Sequence, residues 1–385
     1  MEFIFWLFLF SVIYTYVGYG FALRVLVAIR GSKINPRVYE DHPLPKLTHI
    51  IAAYNEEDFI EEKIANSLAL DYPSDKYDLW IVTDGSTDKT AELVSKYPRI
   101  RLFHQDERNG KIHAVNRVME HVTAPIVVYS DANTELNPEA LRRIVRHYND
   151  PKVGCVAGEK RVKQSAKDSS ASTEGFYWKY ESFLKKYDYQ LYSVVGAAGE
   201  LFSIRTSLYF SVDPNTLIED FYLSLKINSQ GYRTAYEPEA YALESSSENI
   251  KEESKRKVRI AAGGFQAMWK LNFLLNVFRY GWLSFQYISH RVLRWAVSPF
   301  LLPILLLLNF LLATNSIFYR AILILQVGFY FAAFLGYLLQ KVKIKVKALF
   351  IPFYFTFMNV SVYRGLFRFL MGNQSVLWER AARKK

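Results

Sequence analysis

Acidic residues follow three apolar runs of the sequence, and each stands where its run ends. They are Glu56, Asp84 and Asp131. One acidic residue after a strand is ordinary turn chemistry, but successive strand ends of a parallel sheet meet at one edge. Carboxylates that converge there suit a divalent metal, ribose hydroxyls and a general base. The spacing therefore predicts a nucleotide site at this edge.

Basic residues at two places supply the opposite charge. Lys111 follows a Gly-containing turn that opens a predicted helix, and a lysine beside helix N-terminal amides suits a diphosphate. A solvated surface turn is the alternative for this segment. The second group contains Lys255, Arg256, Lys257 and Arg259. Of this cluster we expect Arg256 and Arg259 to face the phosphates, and attraction of the cluster to anionic lipid is the alternative.

A carboxylate further along the chain is the candidate base. It is Asp220, which follows Glu219, and a helix N-cap before residues 221–229 is the alternative. Transfer from a nucleoside diphosphate needs a metal and cations that stabilise the departing diphosphate. It also needs a carboxylate that accepts the proton of the attacking hydroxyl. The chain contains these residue types, so we predict group transfer from a nucleoside-diphosphate substrate.

Short apolar runs alternate with segments of helical spacing through the first half of the chain. The predicted strands are 47–53, 79–83, 100–103 and 125–130. The predicted helices are 57–70, 89–97 and 110–121. Strands that alternate with helices imply an α/β domain with a mostly parallel sheet. Such a sheet would bring the three acidic residues to one edge.

The composition narrows the class of protein. The 385 residues carry 48 Lys+Arg against 37 Asp+Glu, a net charge of +11, and 51% are apolar. The apolar fraction excludes a disordered chain, and the single Cys155 excludes intrachain disulfides and cysteine-based zinc clusters. The basic residues cluster at the edges of apolar segments, and no RNA-binding motif is present. We therefore expect membrane lipids, and no nucleic acid, as partners.

Three uncharged segments are long enough to cross a membrane, namely 3–23, 295–319 and 321–340. A spanning helix needs about 20 apolar residues. The first segment has no small-residue cleavage site and is expected to be an anchor, and the other two form a predicted hairpin. Basic residues after the first and third segments place residues 24–294 in the cytoplasm by the positive-inside rule. We expect an integral protein of the cell inner membrane with a cytoplasmic catalytic domain.

Two further segments have weaker patterns. Residues 269–291 are aromatic and sparsely charged, which is typical of an interfacial amphipathic helix, with a core helix as the alternative. Residues 348–371 are expected to lie in the interface or re-enter it, with a tilted crossing as the alternative. The expected domains are an anchor at 1–29, a catalytic domain at 40–268, the interfacial helix at 269–291, membrane segments at 292–371 and a basic tail at 372–385.

The ordered motifs over about residues 45–270 resemble the membrane-embedded family 2 glycosyltransferases, which include cellulose, hyaluronan and poly-N-acetylglucosamine synthases. The stretch 82–88 resembles the DGSTD motif of that family, and residues 109–116 resemble its GK-x-x-A-x-N helix start. The resemblance implies an α/β GT-A fold, with a Rossmann-like mixed sheet, plus transmembrane helices. It implies an inverting transfer of a hexosyl or N-acetylhexosaminyl group from a nucleotide-sugar donor, for which a UDP-sugar is the expectation.

The resemblance also assigns roles to residues of this chain. Asp220 stands at the position of the family's base. Asp131 and Asn133 stand at its metal-binding D-x-D, where Asn133 is the weaker ligand of Mg²⁺ or Mn²⁺. The donor would be held by Tyr54, Asn55, Glu56, Asp84, Lys111, Asp131, Arg256 and Arg259. The acceptor site would be formed by Gly196, Ala197, Gly199, Glu219 and Trp269.

One departure from the family concerns the acceptor. Processive members carry Q-x-x-R-W near the membrane, and this chain has Arg256, Arg259 and Ile260 at those three positions. Ile260 replaces the tryptophan that would stack on the acceptor sugar, and Trp269 or Trp378 are candidates to replace it. The family favours a growing polysaccharide as acceptor, whereas the missing tryptophan favours single transfer to a membrane lipid.

Two other expectations concern partners and class. A polysaccharide tunnel needs more helices than this chain contains, so polymer synthesis would require a homo-oligomer or an export partner. A non-catalytic membrane scaffold is the rival from another class. That rival predicts loss of the carboxylates, whereas Asp84, Asp131 and Asp220 are all present.

Overall fold

The structure of the chain is a computed structural model that describes residues 1–163, 170–245, 250–341 and 346–372, with positions 375 and 377. Within these residues, an eight-stranded sheet is followed and preceded in sequence by long apolar helices. Some expectations rest on Lys343, Lys345, Trp378 and the basic tail beyond it, and these residues lie outside the described part.

The sheet is mixed, with four parallel strands on one side. The strands are β1 Leu47–Ala53, β2 Tyr77–Thr83, β3 Ile100–Phe103, β4 Ile126–Asp131, β5 Thr134–Leu136, β6 Val153–Val162, β7 Leu201–Arg205 and β8 Arg233–Glu244. Their order across the sheet is β3-β2-β1-β4-β7-β6-β8-β5. The first four pair in parallel, and β7 lies antiparallel between β4 and β6. The four strands expected from the sequence are confirmed.

Helices cover both faces of the parallel strands. The longer helices are α1 Glu2–Arg30, α2 Ile60–Leu68, α3 Thr90–Ser95, α4 Lys111–Met119, α5 Ala140–Val145, α6 Ser170–Leu191, α7 Glu219–Asn228, α8 Ile250–Lys270, α9 Trp282–Leu312, α10 Ile317–Lys341 and α11 Lys347–Leu370. Ile50 of β1 packs in the cluster with Ile112 of α4, whereas Ile51 packs with Ile60 of α2. Burial on both faces is typical of central parallel strands.

In the described part, three helices are long and apolar enough to cross a membrane: α1, α9 and α10. They pack together at one end, where the ring of Phe5 in α1 lies edge-on to Tyr319 in α10, with 5.6 Å between centroids. Leu305 of α9 is buried in the same cluster. The first apolar segment and the predicted hairpin therefore form one bundle, as far as these helices are described.

The segment before the hairpin differs from the expectation. Residues 269–291 do not form a single helix, because α8 ends at Lys270 and α9 begins at Trp282. The backbone at Gly281 has a φ of 52°, which favours glycine and turns the chain between two helices. Asn276 caps a single helical turn in this segment by accepting a hydrogen bond from the backbone N–H of Arg279. The first helix of the hairpin consequently starts thirteen residues earlier than its uncharged core at residue 295.

The fourth apolar stretch is a continuous helix, α11, of 24 residues. It packs beside α8 and α10, and the guanidinium of Arg364 donates a hydrogen bond to Ser254 Oγ at 2.9 Å. Gly365 lets the two backbones approach, because a Cβ there would come 2.5 Å from the Cβ of Ala261. The sequence pattern missed this contact, which brings α11 beside the sheet domain.

Candidate active site

The loops after β1 and β2 are bound to each other. Asn55 adopts a φ of 52°, and its Oδ1 accepts a hydrogen bond from the Thr87 backbone N–H at 2.8 Å. The backbone N–H of Asn55 donates to Ser86 Oγ, and that of Glu56 donates to Thr90 Oγ1. Two of the predicted donor residues are thus held in place, Asn55 by the DGSTD-like loop and Glu56 by the first residue of α3.

Asp84 ties the same region to the turn before α4. Its carboxylate is 1% exposed and accepts hydrogen bonds from the backbone N–H groups of Asn109 at 3.0 Å and Gly110 at 2.7 Å. The guanidinium of Arg108 lies over the ring of Tyr54, 3.8 Å from its centroid. The structure therefore brings Tyr54 and Asp84 to one edge of the sheet, and the Asp84 carboxylate stabilises the turn before α4.

Lys111, the first residue of α4, links two elements that are far apart in the sequence. Its Nζ lies 2.9 Å from Asp131 Oδ1 at the end of β4 and 3.2 Å from Glu219 Oε1 at the start of α7. Burial alone would lower the pKa of Lys111, but Asp131 and Glu219 raise it above its ordinary value. The lysine remains charged and supplies a fixed cation beside two carboxylates.

Asp220 lies in the first turn of α7, next to this cation. Helix α7 begins at Glu219 after Ile218, so Asp220 is inside the helix and not its N-cap. Burial and the neighbouring charge of Glu219 raise the pKa of Asp220 to about 7, against the opposing effect of Lys111. A carboxylate with a pKa near neutrality is matched to accepting a proton at physiological pH.

Two arginines of α8 have different surroundings. Burial lowers the pKa of Arg259, and the charges of Glu219, Asp131 and Asp220 oppose that effect. Its buried Nε has no hydrogen-bond partner in the described part of the structure. Arg256 instead donates from Nη2 to Glu200 Oε1 at 2.8 Å. Arg259 is therefore the cation directed to the carboxylate cluster, whereas Arg256 belongs to a neighbouring ion-pair network.

That network is buried between β6, β7 and β8. Lys160 Nζ lies 2.6 Å from Glu200 Oε1 and also pairs with Glu244. Arg256 Nη2 is 3.6 Å from Glu244 Oε2. Lys160 and Arg256 hold the pKa of Glu200 well below its usual range, although burial alone would raise it. The expectation that Arg256 faces the donor phosphates thus competes with a strong alternative partner.

The segment before β7 approaches the base closely. Gly196 has a φ of 87°, and a Cβ at this position would overlap the ring of Phe221. A Cβ on Gly199 would lie 3.4 Å from Asp220 Oδ2 and 3.5 Å from Lys111 Nζ. The backbone N–H of Ala197 donates to a serine of α7 at 2.9 Å. Small residues are therefore needed where this segment passes over the base.

A cavity of about 320 Å³ begins at this carboxylate cluster and extends toward the apolar helices. Predicted residues that line it are Lys111, Asp131, Gly196, Ala197, Gly199, Glu219, Asp220, Arg256 and Arg259. Lining residues that the sequence did not reveal are Trp178, Glu181 and Lys185 of α6, Arg291 and Trp295 of α9, and Met358, Ser361 and Val362 of α11. Spacings of three and four residues place the α6 group on one helical face. This spacing is the one feature of the sequence that could have indicated that these residues share a site.

Trp269 is not among the cavity residues. It lies near the end of α8 with 72% of its surface exposed. Trp295 of α9 lines the cavity and packs on Gly264, where a Cβ would come 2.5 Å from the indole ring. Ile260 also lines the cavity. The aromatic side chains near the base therefore come from α6, α7 and α9 and not from the predicted position.

The expected metal site has few protein ligands. In the ranges that the structure describes, no group of three or more His, Cys, Asp or Glu side chains is arranged to hold a metal ion. Asp131 remains partly open at the end of β4, and among the described residues the buried Oδ1 of Asn133 has no hydrogen-bond partner. Oxygen donors of this kind fit Mg²⁺ or Mn²⁺ when phosphate oxygens complete the coordination. The residues present thus fit a metal that binds together with a nucleotide.

Part of the chain matches a known protein family. Residues 48–210 match the family model described as Glycosyl transferase family 2. A poly-β-1,6-N-acetyl-D-glucosamine synthase of Staphylococcus aureus is 29% identical over 232 residues, which are 58% of this chain and 56% of that protein. A β-monoglucosyldiacylglycerol synthase of Synechocystis sp. is 31% identical over 165 residues, 41% of this chain and 34% of that protein. The chain thus spans about half the length of the first relative and a third of the second.

A solved structure has the same fold over nearly the whole chain. It is the mannosyltransferase PcManGT of Pyrobaculum calidifontis in complex with GDP-Man and Mn²⁺, with a TM-score of 0.74 and 22% identity. The match covers 97% of this chain and 99% of that chain. The expected fold class is confirmed. Residues 48–210 therefore resemble family 2 glycosyltransferases, the sheet domain has a GT-A-like fold, and apolar helices from both sides of that domain in the sequence pack beside it.

Proposed function

We propose that the protein transfers a sugar from a nucleoside-diphosphate donor to an acceptor hydroxyl, with inversion at the anomeric carbon and Asp220 as the base. One observation carries this proposal. Asp220 has a pKa of about 7 and lines a cavity together with the cations Lys111 and Arg259. A base tuned to neutrality beside two cations suits a reaction that removes a proton and releases a diphosphate.

The reaction is a single displacement. The acceptor oxygen forms a bond to the anomeric carbon while its proton passes to the Asp220 carboxylate. The bond between the anomeric carbon and the diphosphate oxygen breaks, and its electron pair leaves with the nucleoside diphosphate. Lys111 and Arg259 stabilise the negative charge that develops on this leaving group. Attack from the face opposite the leaving group inverts the anomeric carbon.

The donor is proposed to be a UDP-sugar held at the edge of the parallel strands. Tyr54, Asn55, Glu56 and Asp84 surround the nucleoside in this arrangement. Support comes from the hydrogen bonds that join the loops after β1 and β2. Further support comes from the buried Arg259 Nε, which lacks a described partner and suits a phosphate oxygen.

Mg²⁺ or Mn²⁺ is the proposed cofactor, with Asp131 and Asn133 as its protein ligands. When bound, such a metal neutralises charge on the departing diphosphate. The orphan Oδ1 of Asn133 supports this assignment. Lys111 holds Asp131 from one side at 2.9 Å and orients its carboxylate.

The acceptor is proposed to be a growing polysaccharide at the cytoplasmic face of the cell inner membrane. The relative named as a poly-β-1,6-N-acetyl-D-glucosamine synthase supports this choice. A membrane lipid is the second candidate. It is favoured because the cavity reaches Met358 and Val362 on the uncharged stretch of α11, and by the relative named as a glucosyldiacylglycerol synthase.

The test is radiolabelled transfer in membranes that contain the full chain, with a panel of UDP-sugars and GDP-mannose in the presence of Mn²⁺ or Mg²⁺. Asp220→Asn is the key variant, and Asp106→Asn, whose side chain is 96% exposed, is the matched control. Label that depends on Asp220 in a high-mass fraction would support polysaccharide synthesis. The same dependence in the organic-soluble fraction alone would identify a lipid acceptor. Equal labelling by wild type and Asp220→Asn would contradict the proposed base.

A further inference from the structure

The cavity contains a buried cation that the proposed transfer step does not use. Lys185 of α6 is 3% exposed and lines the cavity that contains Asp220. Its nearest carboxylate in the described structure is Glu159, with 3.9 Å between Nζ and Oε2. That distance is well beyond a charge-assisted hydrogen bond, which is about 2.7–2.9 Å.

The carboxylates around Lys185 are already engaged by other groups. Glu159 accepts hydrogen bonds from Ser182 Oγ and, at 2.7 Å, from Tyr236 Oη. Glu181, one turn before Lys185 on the same helical face, is held by Arg291 at 2.9 Å and by Arg294 at 3.0 Å. Glu159 Oε2 is therefore shared between the short hydrogen bond from Tyr236 and the longer contact with Lys185, and Glu181 pairs with the arginines.

An ammonium group in this position is costly without a close anion. Burial removes water from the charge, and a buried ion is stabilised only by a well-placed partner with good hydrogen bonds. Arg291 and Glu181, which line the same cavity, pair with each other and offset each other's charge. Lys185 is thus a buried ammonium group beside a cavity without a close anion, and a negative group on a ligand would complete the site.

The position of the site relative to the base indicates which ligand that is. Lys111 and Arg259 stand with Asp131, Glu219 and Asp220 at the donor end, whereas Lys185 comes from α6 and forms the wall together with residues of α9 and α11. A ligand at Lys185 is therefore the one whose hydroxyl faces Asp220, not the leaving diphosphate.

We propose that Lys185 forms an anion subsite for the acceptor, so that the enzyme selects an acceptor that carries a phosphate or carboxylate group near its reacting hydroxyl. This inference rests on the proposed function for the identity of the ligand as acceptor. Two sources supply such a group, namely a phospholipid headgroup and an acidic sugar residue of a saccharide.

The test is equilibrium binding to the purified full-length protein, with saturating UDP and Mn²⁺ present so that the donor end is filled. The anionic probes are dioctanoylphosphatidylglycerol and a glucuronate-containing oligosaccharide. Their neutral counterparts are dioctanoylglycerol and an N-acetylglucosamine oligosaccharide. The variants are Lys185→Met, Lys185→Gln and Lys185→Arg. Lys186→Met is the matched control, because it removes the same charge from the exposed neighbouring position of α6.

We expect Lys185→Met and Lys185→Gln to weaken binding of one anionic probe at least tenfold, while Lys185→Arg and Lys186→Met stay within threefold of wild type. Binding of the neutral counterpart and of UDP should not change, which excludes a folding defect. The probe that responds identifies the source of the anion. Equal loss for anionic and neutral probes, or no dependence on Lys185 for either anionic probe, would overturn the subsite.

The outcome is independent of catalysis. Asp220→Asn should bind the anionic probe as wild type does, because the base is not part of the subsite. If Lys185-dependent binding is present but no donor gives Asp220-dependent transfer, the proposed function fails and the anion site stands. If transfer occurs and the anion site is absent, only the acceptor inference fails.

Discussion

The acidic limb of the pH–activity profile should be set by Asp220 and should move in opposite directions when its two charged neighbours are removed. The base accepts a proton only when it is ionised, so kcat/KM should fall as the pH drops through the Asp220 pKa of about 7. With one titrating group, the value at pH 6 is about one fifth of that at pH 7. The Glu219 charge raises this pKa and the Lys111 charge lowers it.

The size of each shift follows from distance. Lys111 Nζ and Asp220 Oδ2 lie 3.5 and 3.4 Å from the point that a Gly199 Cβ would occupy, so the two atoms are less than about 7 Å apart. At that distance and an effective dielectric constant of about 20, the interaction is about 2 kcal/mol, or between one and two pKa units. Lys111→Met should therefore shift the acidic limb to higher pH by at least about one pH unit, and Glu219→Gln should shift it to lower pH.

The assay is kcat/KM for sugar transfer from pH 5 to 9 at constant ionic strength, with the position of the limb compared and not its height. Lys111→Met also weakens donor binding, but that loss scales the whole profile and leaves the limb where Asp220 sets it. Asp106→Asn is the control that should leave the limb unmoved. A limb that shifts in the same direction for both variants, or persists unchanged in Asp220→Asn, would refute the assignment of the base.

Three further changes test other parts of the site. Gly196→Ala should destabilise the protein by about 2–4 kcal/mol in chemical denaturation, because the added Cβ would overlap an aromatic ring at a residue with a positive φ. Gly231→Ala is the control, because Gly231 has a φ of 96° and open space around it, and this change should destabilise the protein by only about 1–2 kcal/mol. Arg259→Gln should weaken UDP binding, measured by calorimetry, about tenfold or more. Arg256→Gln should change the same affinity less than threefold, because Arg256 already pairs with a glutamate. The reverse order would show that Arg256 faces the phosphates. Asp131→Asn should raise the Mn²⁺ concentration required for half-maximal activity at least tenfold, and an unchanged requirement would remove Asp131 from the metal site.

Local sequence patterns were sufficient to predict the parallel half of the sheet and insufficient to predict the other half. Strands β1 to β4 were predicted because each is a short apolar run between helices, and pairing of neighbours follows from that alternation. Strand β7 enters antiparallel between β4 and β6, a pairing of residues about 75 positions apart that no local period indicates. The break at Gly281 was likewise missed, because the aromatic pattern of 269–291 continues through it.

The residues of the candidate site likewise fall into those that the sequence indicated and those that it did not. Asp131 and Asp220 could be singled out because a carboxylate at a strand end or after a loop signals its chemistry locally, and the structure brings both to Lys111 or the cavity beside it. The hydrogen bond from Arg256 to Glu200 could not be predicted from the sequence, since the two residues lie 56 positions apart. Trp269 is exposed although Trp295 lines the cavity, and both are simply aromatic residues near a membrane segment when seen in the sequence alone.

The sequence by itself determined the α/β class, the apolar helices and the edge of the sheet at which the candidate acidic residues meet. These features follow from periodicity and from residue type, which act over a few positions of the chain. The tertiary structure alone decided the electrostatics and the acceptor end of the cavity. The pKa of Asp220 depends on burial, Glu219 and Lys111, and the long distance between Lys185 and its nearest carboxylate depends on which partners Glu159 and Glu181 have taken. Burial and charge pairing are properties of residues that only folding brings together.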